Sequence, residues 1–142
     1  MFNRLLQLIL VGVALSHELD GSYVNKTVSG PFLNLMYTFS DNAQKVEITF
    51  SCGSGVRPTR ATFPVLKRAD TLYTIPTTIP GTSTPKPDWT AFVDIFEVKC
   101  SGYKPLNAAD LWLITYDKKF DHPHVSVKGE LLKLVHKEPP SH

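Results

Sequence analysis

The chain has 142 residues, of which 42% are hydrophobic and 20% charged, with 15 Lys and Arg against 13 Asp and Glu for a formal net charge of +2. A balance that even, with no dense basic cluster, excludes the electrostatic footprint of a nucleic-acid binder or a polybasic membrane-surface protein. The length suits one domain that can bury a core without a metal or several disulfides.

The chain opens with one cation, Arg4, and an apolar run from Leu5 to Leu15 broken only by Gln7 and Gly12. That run has the length of a signal-peptide h-region and is too short to span a bilayer core of about 30 Å. It ends in Ala14-Leu15-Ser16, followed at once by polar His17, Glu18 and Asp20. The expected organisation is therefore a signal peptide over residues 1–16 and a single β domain over 17–142, secreted and without stable membrane insertion. Loss of Arg4 leaves 14 cations against 13 acids. In that compartment Cys52 and Cys100, the two cysteines of the chain, are expected to form a disulfide. Asn25-Lys26-Thr27 is an acceptor tripeptide for N-glycosylation at Asn25.

Strand patterns dominate the mature chain. Asp20 to Val28 reads as a weak first strand. Phe32 to Phe39 is apolar on both faces, and Ser40-Asp41-Asn42 reads as the turn into the next strand. Lys45 to Ser51 alternates, with Val46, Ile48 and Phe50 on one face and Lys45, Glu47 and Thr49 on the other. Arg60 to Lys67 and Thr71 to Ile75 are two shorter candidates joined by Arg68-Ala69-Asp70. Pro64 makes the first an edge or bulged strand, since proline cannot donate to a ladder.

Pro76 to Asp88 is rich in proline and threonine and reads as a long, extended, solvent-facing loop. Trp89 to Cys100 follows as the longest strand candidate. One of its faces would carry Phe92, Phe96, Val98 and Cys100, interrupted by Asp94. Leu106 to Asp110 suits a brief helical turn. Asp110 to Tyr116 and His124 to Val135 complete the set, with Gly129 as a bulge where the alternation slips. About eight strands with short connections predict an all-β fold: a single antiparallel β-barrel, or a β-sandwich.

Leu19-Asp20-Gly21-Ser22-Tyr23 resembles the glycine-x-tryptophan opening of the calycins, the lipocalin and fatty-acid-binding superfamily. Tyr23 stands where that family has tryptophan. The arginine that packs over the ring from the last strand is missing, with Lys128 or Lys133 as loose substitutes. The resemblance implies a barrel whose interior holds a small hydrophobic ligand. The immunoglobulin-like sandwich is the rival. It expects a tryptophan shortly after the first cysteine and a tyrosine two before the second, where this chain has Trp89 far downstream and Val98.

Candidate chemistry is sparse. Ser51-Cys52-Gly53-Ser54-Gly55 lacks the first glycine of a nucleophile elbow, and no Walker loop, zinc spacing or calcium loop is present. A terminal His17 with His122 and His124 could offer nitrogen ligands to copper; the simpler reading is a solvated terminus and a polar turn, with no cofactor. Asp94, alone on a mostly apolar face, is the acid whose surroundings could raise its pKa. Eight Phe, five Tyr and two Trp supply either a filled core or cavity walls. Phe32, Met36, Phe50, Phe92, Asp94, Phe96, Trp112 and Tyr116 are the candidate lining of a ligand cavity. The expected function is non-enzymatic binding of a small, mainly apolar molecule. The alternative is a module that binds an extracellular protein or glycan through its loops, chiefly 76–88 and 53–60.

Overall fold

The computed structural model describes residues 17–25, 32–53 and 55–137. The expected signal peptide over 1–16, most of the acceptor tripeptide and the last five residues lie outside them. Among the described residues the fold is an all-β, nearly closed antiparallel barrel of nine strands with one α-helix and one disulfide.

The strands are β1 (Gly21–Asn25), β2 (Asn34–Ser40), β3 (Lys45–Ser51), β4 (Thr59–Pro64), β5 (Leu66–Ala69), β6 (Leu72–Thr74), β7 (Leu113–Asp117), β8 (His122–Val127) and β9 (Glu130–His136). Their spatial order is β4-β3-β2-β1-β9-β8-β7-β6-β5. The two end strands, β4 and β5, are consecutive in the chain and separated only by Val65. Pro64 is where the predicted strand over 60–67 breaks: β4 pairs with β3, and β5 pairs with β6. Val65 continues the β3–β4 ladder by one step beyond the Lys45–Pro64 pair, its N–H donating to the Gln44 carbonyl at 2.8 Å. One bent segment thus serves both ends of the sheet, as a proline at an edge requires.

The period-two pattern decides which side chains face inward. Leu35, Tyr37 and Phe39 of β2, Val46, Ile48 and Phe50 of β3, Val125 and Val127 of β8, and Leu132 and Leu134 of β9 are all buried. Tyr37 donates its hydroxyl to the Leu111 carbonyl at 2.7 Å, tying β2 to the loop before β7. Asp110, also buried, gathers the loop before β7 by accepting from the amides of Asn107 and Lys128 and from the Ser126 hydroxyl.

Two sequence expectations are corrected. Trp89 to Cys100 is not a strand: α1 spans Pro87–Lys99. Its apolar residues are so dense that they satisfy an alternating pattern as well as a helical one. The start signal decides between them. Pro87 stands in the first helical turn with Asp88 beside it, where a missing N–H costs nothing and a carboxylate meets the positive helix end. Burial follows the helical period, with Trp89, Phe92 and Phe96 inside while Asp94, Ile95 and Val98 are exposed. The buried rings meet Phe50 of β3 and Phe63 of β4 at centroid distances of 4.8 to 5.6 Å. Cys100, at the end of α1, is bonded to Cys52 just after β3, with Cα atoms 5.4 Å apart.

The second correction concerns Gly129. The segment 124–135 is a hairpin rather than one bulged strand, and Lys128-Gly129 is its two-residue turn between the paired Val127 and Glu130. Both turn residues have positive φ, 52° and 78°, as the tight hairpin turn matching strand twist demands.

The loop over 76–88 also has more internal structure than an extended connector. Thr78 and Pro85 pair as a β-bridge, and the Lys86 amide donates to the Thr77 carbonyl at 2.9 Å. At its tip the Thr82 amide donates to the Ile79 carbonyl at 3.0 Å across Pro80-Gly81, with Gly81 at φ 76°. Proline followed by a positive-φ glycine is the signature of a type II turn.

Candidate ligand site at the barrel mouth

The largest of the recesses described lies at the barrel end where β1 begins, β2 turns into β3 and β7 turns into β8. It encloses about 650 Å³. Its floor is apolar: Leu19 from the segment entering β1, Ala43 from the β2–β3 turn, Val65 from the Pro64 bend and Tyr73 of β6 are all buried. Its lip carries the polar side chains of Glu18, Asn42, Gln44, Lys67 and Lys118 alongside exposed Pro64 and Leu66. A cavity of this size, apolar below and polar at the lip, falls within the range used for small-molecule sites. The helix C-terminus and the disulfide lie toward the opposite end of the barrel, beyond the last residues of β3.

The backbone holds this mouth in an unusual form. Asp41, Asn42 and Ala43 are successively left-handed, at φ 54°, 56° and 62°. Asp and Asn tolerate that region, whereas Ala43 occupies it at a steric cost. The turn closes through the Gln44 amide donating to the Asp41 carbonyl at 3.1 Å, and the Gln44 carbonyl then receives Val65. Ala43 is thereby pressed into the cavity floor.

Charge on the rim is grouped. Lys118 donates to Asp70 at 2.6 Å, and Lys67 approaches the same carboxylate at 3.7 Å. The hydrogen bond from Lys118 holds Asp70 below the ordinary carboxylate range, and the same bond raises Lys118. Lys67 is the more loosely held cation, with its ammonium 6.0 Å from the centroid of the Tyr73 ring.

Next to this floor, Tyr73 makes an edge contact with Tyr116, whose hydroxyl donates to Asp121 Oδ1. Tyr23 donates to the same oxygen at 2.8 Å. His136 Nε2 lies 3.3 Å from the other oxygen, and its ring sits 4.4 Å from that of Tyr23. Burial, reinforced by the Asp121 carboxylate, pushes Tyr23 and Tyr116 well above the ordinary tyrosine range. Both hydroxyls therefore act as neutral donors. His136 pairs directly across from Tyr23 in the β1–β9 register. A last-strand side chain does cover the Tyr23 ring, but it is His136 in place of the suggested lysines. Lys128 lies in the β8–β9 turn and donates to the Lys104 carbonyl, and Lys133 is exposed opposite His124.

The sequence-derived cavity residues do not share this site. Phe50, Phe92 and Phe96 come together, but with Phe50 of β3 packed against both helix rings. Phe32 is 51% exposed, beside a small recess at the disulfide. Met36 faces the outside of β2, in a recess with Thr49 and Pro58. Trp112 borders the 76–88 hairpin, and Tyr116 is engaged with Asp121. Asp94 is exposed on α1, so the apolar strand face assigned to it does not exist. His17 is exposed, and His122 and His124 are half-buried on the outer side of β8, with His122 stacked on Phe120. Among the described residues, no three His, Cys, Asp or Glu side chains form a metal-ligating group.

Sequence reasoning missed Leu19, Ala43, Val65, Tyr73, Lys67 and Lys118. Pro64 was the available signal, because a bend in a wall strand opens the wall beside it. Comparison with protein-family models, with curated proteins and with solved structures finds no match.

Proposed function

We propose that this chain is a secreted binding protein for a small amphipathic molecule. The ligand's apolar part rests on Leu19, Ala43, Val65 and Tyr73, and its polar or acidic end meets Lys67 and Lys118. The observation that carries this reading is the cavity of about 650 Å³ with a buried apolar floor and a charged rim at one barrel end. The calycin-like layout supports it, since small barrels hold their ligands at or below an open mouth. The apolar run over 5–15 and the Cys52–Cys100 disulfide support export to an oxidising compartment.

The test is a titration with an anionic, apolar probe, 8-anilinonaphthalene-1-sulfonate, followed by amide chemical-shift mapping. Shifts confined to residues 18–19, 42–44, 64–67, 73 and 118 are expected, together with weaker binding by Lys67→Glu. Saturable binding whose shifts fall elsewhere overturns this site.

We propose a protein or glycan partner as a second reading, because the 76–88 hairpin forms one wall of a groove of about 490 Å³. Arg68, Thr74, Pro76, Pro80 and Trp112 contribute to it. The Thr74 hydroxyl accepts from Arg68 Nε at 3.1 Å, so the guanidinium is oriented before any partner arrives. Shortening the hairpin between Thr78 and Pro85 abolishes partner capture on this reading and leaves probe binding at the mouth intact.

A further inference from the structure

Asn25 ends β1 and does the work of a backbone group. The β1–β2 register runs from Gly21 opposite Phe39 to Val24 opposite Met36. Asn25 carries the ladder one step further through its side chain. Its Nδ2 donates to the Leu33 carbonyl at 2.9 Å, and its Oδ1 accepts the Leu35 amide at 2.8 Å. The orientation of the carboxamide is set by chemistry, since only the oxygen can accept from an N–H and only the nitrogen can donate to a carbonyl. On an extended strand the carbonyl of one residue and the amide two residues on point to the same side. Both are therefore engaged by one edge of the planar carboxamide, the edge that bears Oδ1 and the N–H syn to it.

Asn25 is also the first residue of the acceptor tripeptide Asn25-Lys26-Thr27. Glycosylation breaks one Nδ2–H bond and the bond from the sugar's anomeric carbon to its diphosphate carrier, joins nitrogen to that carbon, releases the carrier diphosphate and the proton, and makes the carboxamide a secondary amide. Secondary amides keep the trans arrangement, which sets the sugar anti to Cβ and syn to Oδ1. That is the position of the hydrogen aimed at Leu33. The sugar carbon would stand where the hydrogen bond to the Leu33 carbonyl now runs.

We propose that Asn25 is a strand clamp and that the clamp and an N-linked glycan at Asn25 are mutually exclusive. Secreted, folded protein carries Asn25 unmodified, and any chain glycosylated there has lost the closing step of the β1–β2 ladder.

The test uses the full chain behind the secretion signal of a eukaryotic host, compared with Thr27→Ala, which removes the acceptor sequence while keeping the clamp. A third variant, Thr82→Asn, creates an acceptor with Ser83 and Thr84 on the exposed hairpin tip, and reports that the host's transferase acts on this chain. Intact mass should show a glycan on Thr82→Asn at position 82 and none at Asn25. If part of the wild-type protein does carry a glycan at Asn25, its melting temperature should fall below that of Thr27→Ala by about 4 °C, the loss of one half-buried hydrogen bond. A glycan at Asn25 with a melting temperature equal to or above that of Thr27→Ala overturns the proposal. Asn25→Gln should melt below Thr27→Ala, because the longer side chain cannot keep both bonds in register.

Discussion

The hydroxyl of Tyr23 donates to Asp121 at 2.8 Å across 98 residues of sequence, joining the first strand to the turn between β7 and β8. Tyr116, on the strand leading into that turn, donates to the same oxygen, and Asp121 adopts φ 57° to present it. Two buried phenols sharing one carboxylate replace the water that the carboxylate loses, so the group stays satisfied at the seam where β1 meets β9.

Removing either phenol leaves Asp121 with one donor fewer in a site that solvent reaches poorly. Tyr23→Phe and Tyr116→Phe should each destabilise by about 1–3 kcal/mol. The double variant should cost more or less than their sum, since both act on one oxygen. Urea denaturation of the four proteins measures the coupling, and strict additivity would show that the carboxylate is hydrated after all.

Alkaline pH should unfold the protein. Tyr23, Tyr37 and Tyr116 are all pushed up in the folded state, first by burial. A raised folded pKa contributes stability that is complete below the unfolded value near 10 and is lost as pH rises above it. Stability should be flat to about pH 9 and then fall by at most about 1.4 kcal/mol per pH unit for each tyrosine. Thermal melts from pH 8 to 12 check this, and Tyr116→Phe should show a shallower decline.

The helix assignment predicts opposite outcomes for residues that a strand would place together. Phe92→Ala should cost about 3–5 kcal/mol, because its ring packs on Phe50, Phe63 and Trp89. Val98→Lys should stay within about 0.5 kcal/mol of wild type, since that side chain is 77% exposed. A large loss from Val98→Lys in chemical denaturation would contradict the helical register.

The disulfide closes a separation of 48 residues, which in the chain-entropy model is worth about 4 kcal/mol. Cys52→Ser combined with Cys100→Ser should lower stability by roughly that amount and loosen the end of α1 most. Hydrogen exchange should then rise at Glu97 to Tyr103 before it rises in β2 and β3.

At the β8–β9 turn, Gly129→Ala should cost about 1–2 kcal/mol. Its φ is 78°, and an added Cβ would approach Asn107 Nδ2 to 3.1 Å. Loss confined to the β8–β9 hairpin, seen by hydrogen exchange, is the expected signature.

Local patterns decided much of the wall. Val46, Ile48 and Phe50 alternate with charged and polar partners, and that alternation is a backbone geometry written directly into residue types. The bend at Pro64 and the disulfide were legible for similar reasons, since one rests on a missing N–H and the other on a pair of cysteines in a chain with an export-like start. The apolar stretch after Trp89 was ambiguous. Dense hydrophobicity satisfies both periods, and only the Pro87-Asp88 start separates them. The slip in alternation at Gly129 suits a bulge as well as a turn, and only the pairing of Val127 with Glu130 makes it a two-residue turn.

The sequence by itself determined an antiparallel β fold with one disulfide, because period-two burial and cysteine count act within short stretches of chain. The mouth was decided by tertiary structure alone. Leu19, Ala43, Val65, Tyr73, Lys67 and Lys118 come from five separate segments and have no shared pattern. They meet only after β1 pairs with β9, β4 parts from β5 at Val65, and the β2–β3 turn accepts three left-handed residues. Barrel closure is a long-range event whose loop entropy is repaid only by contacts formed together, and no local signal records which floor that closure assembles.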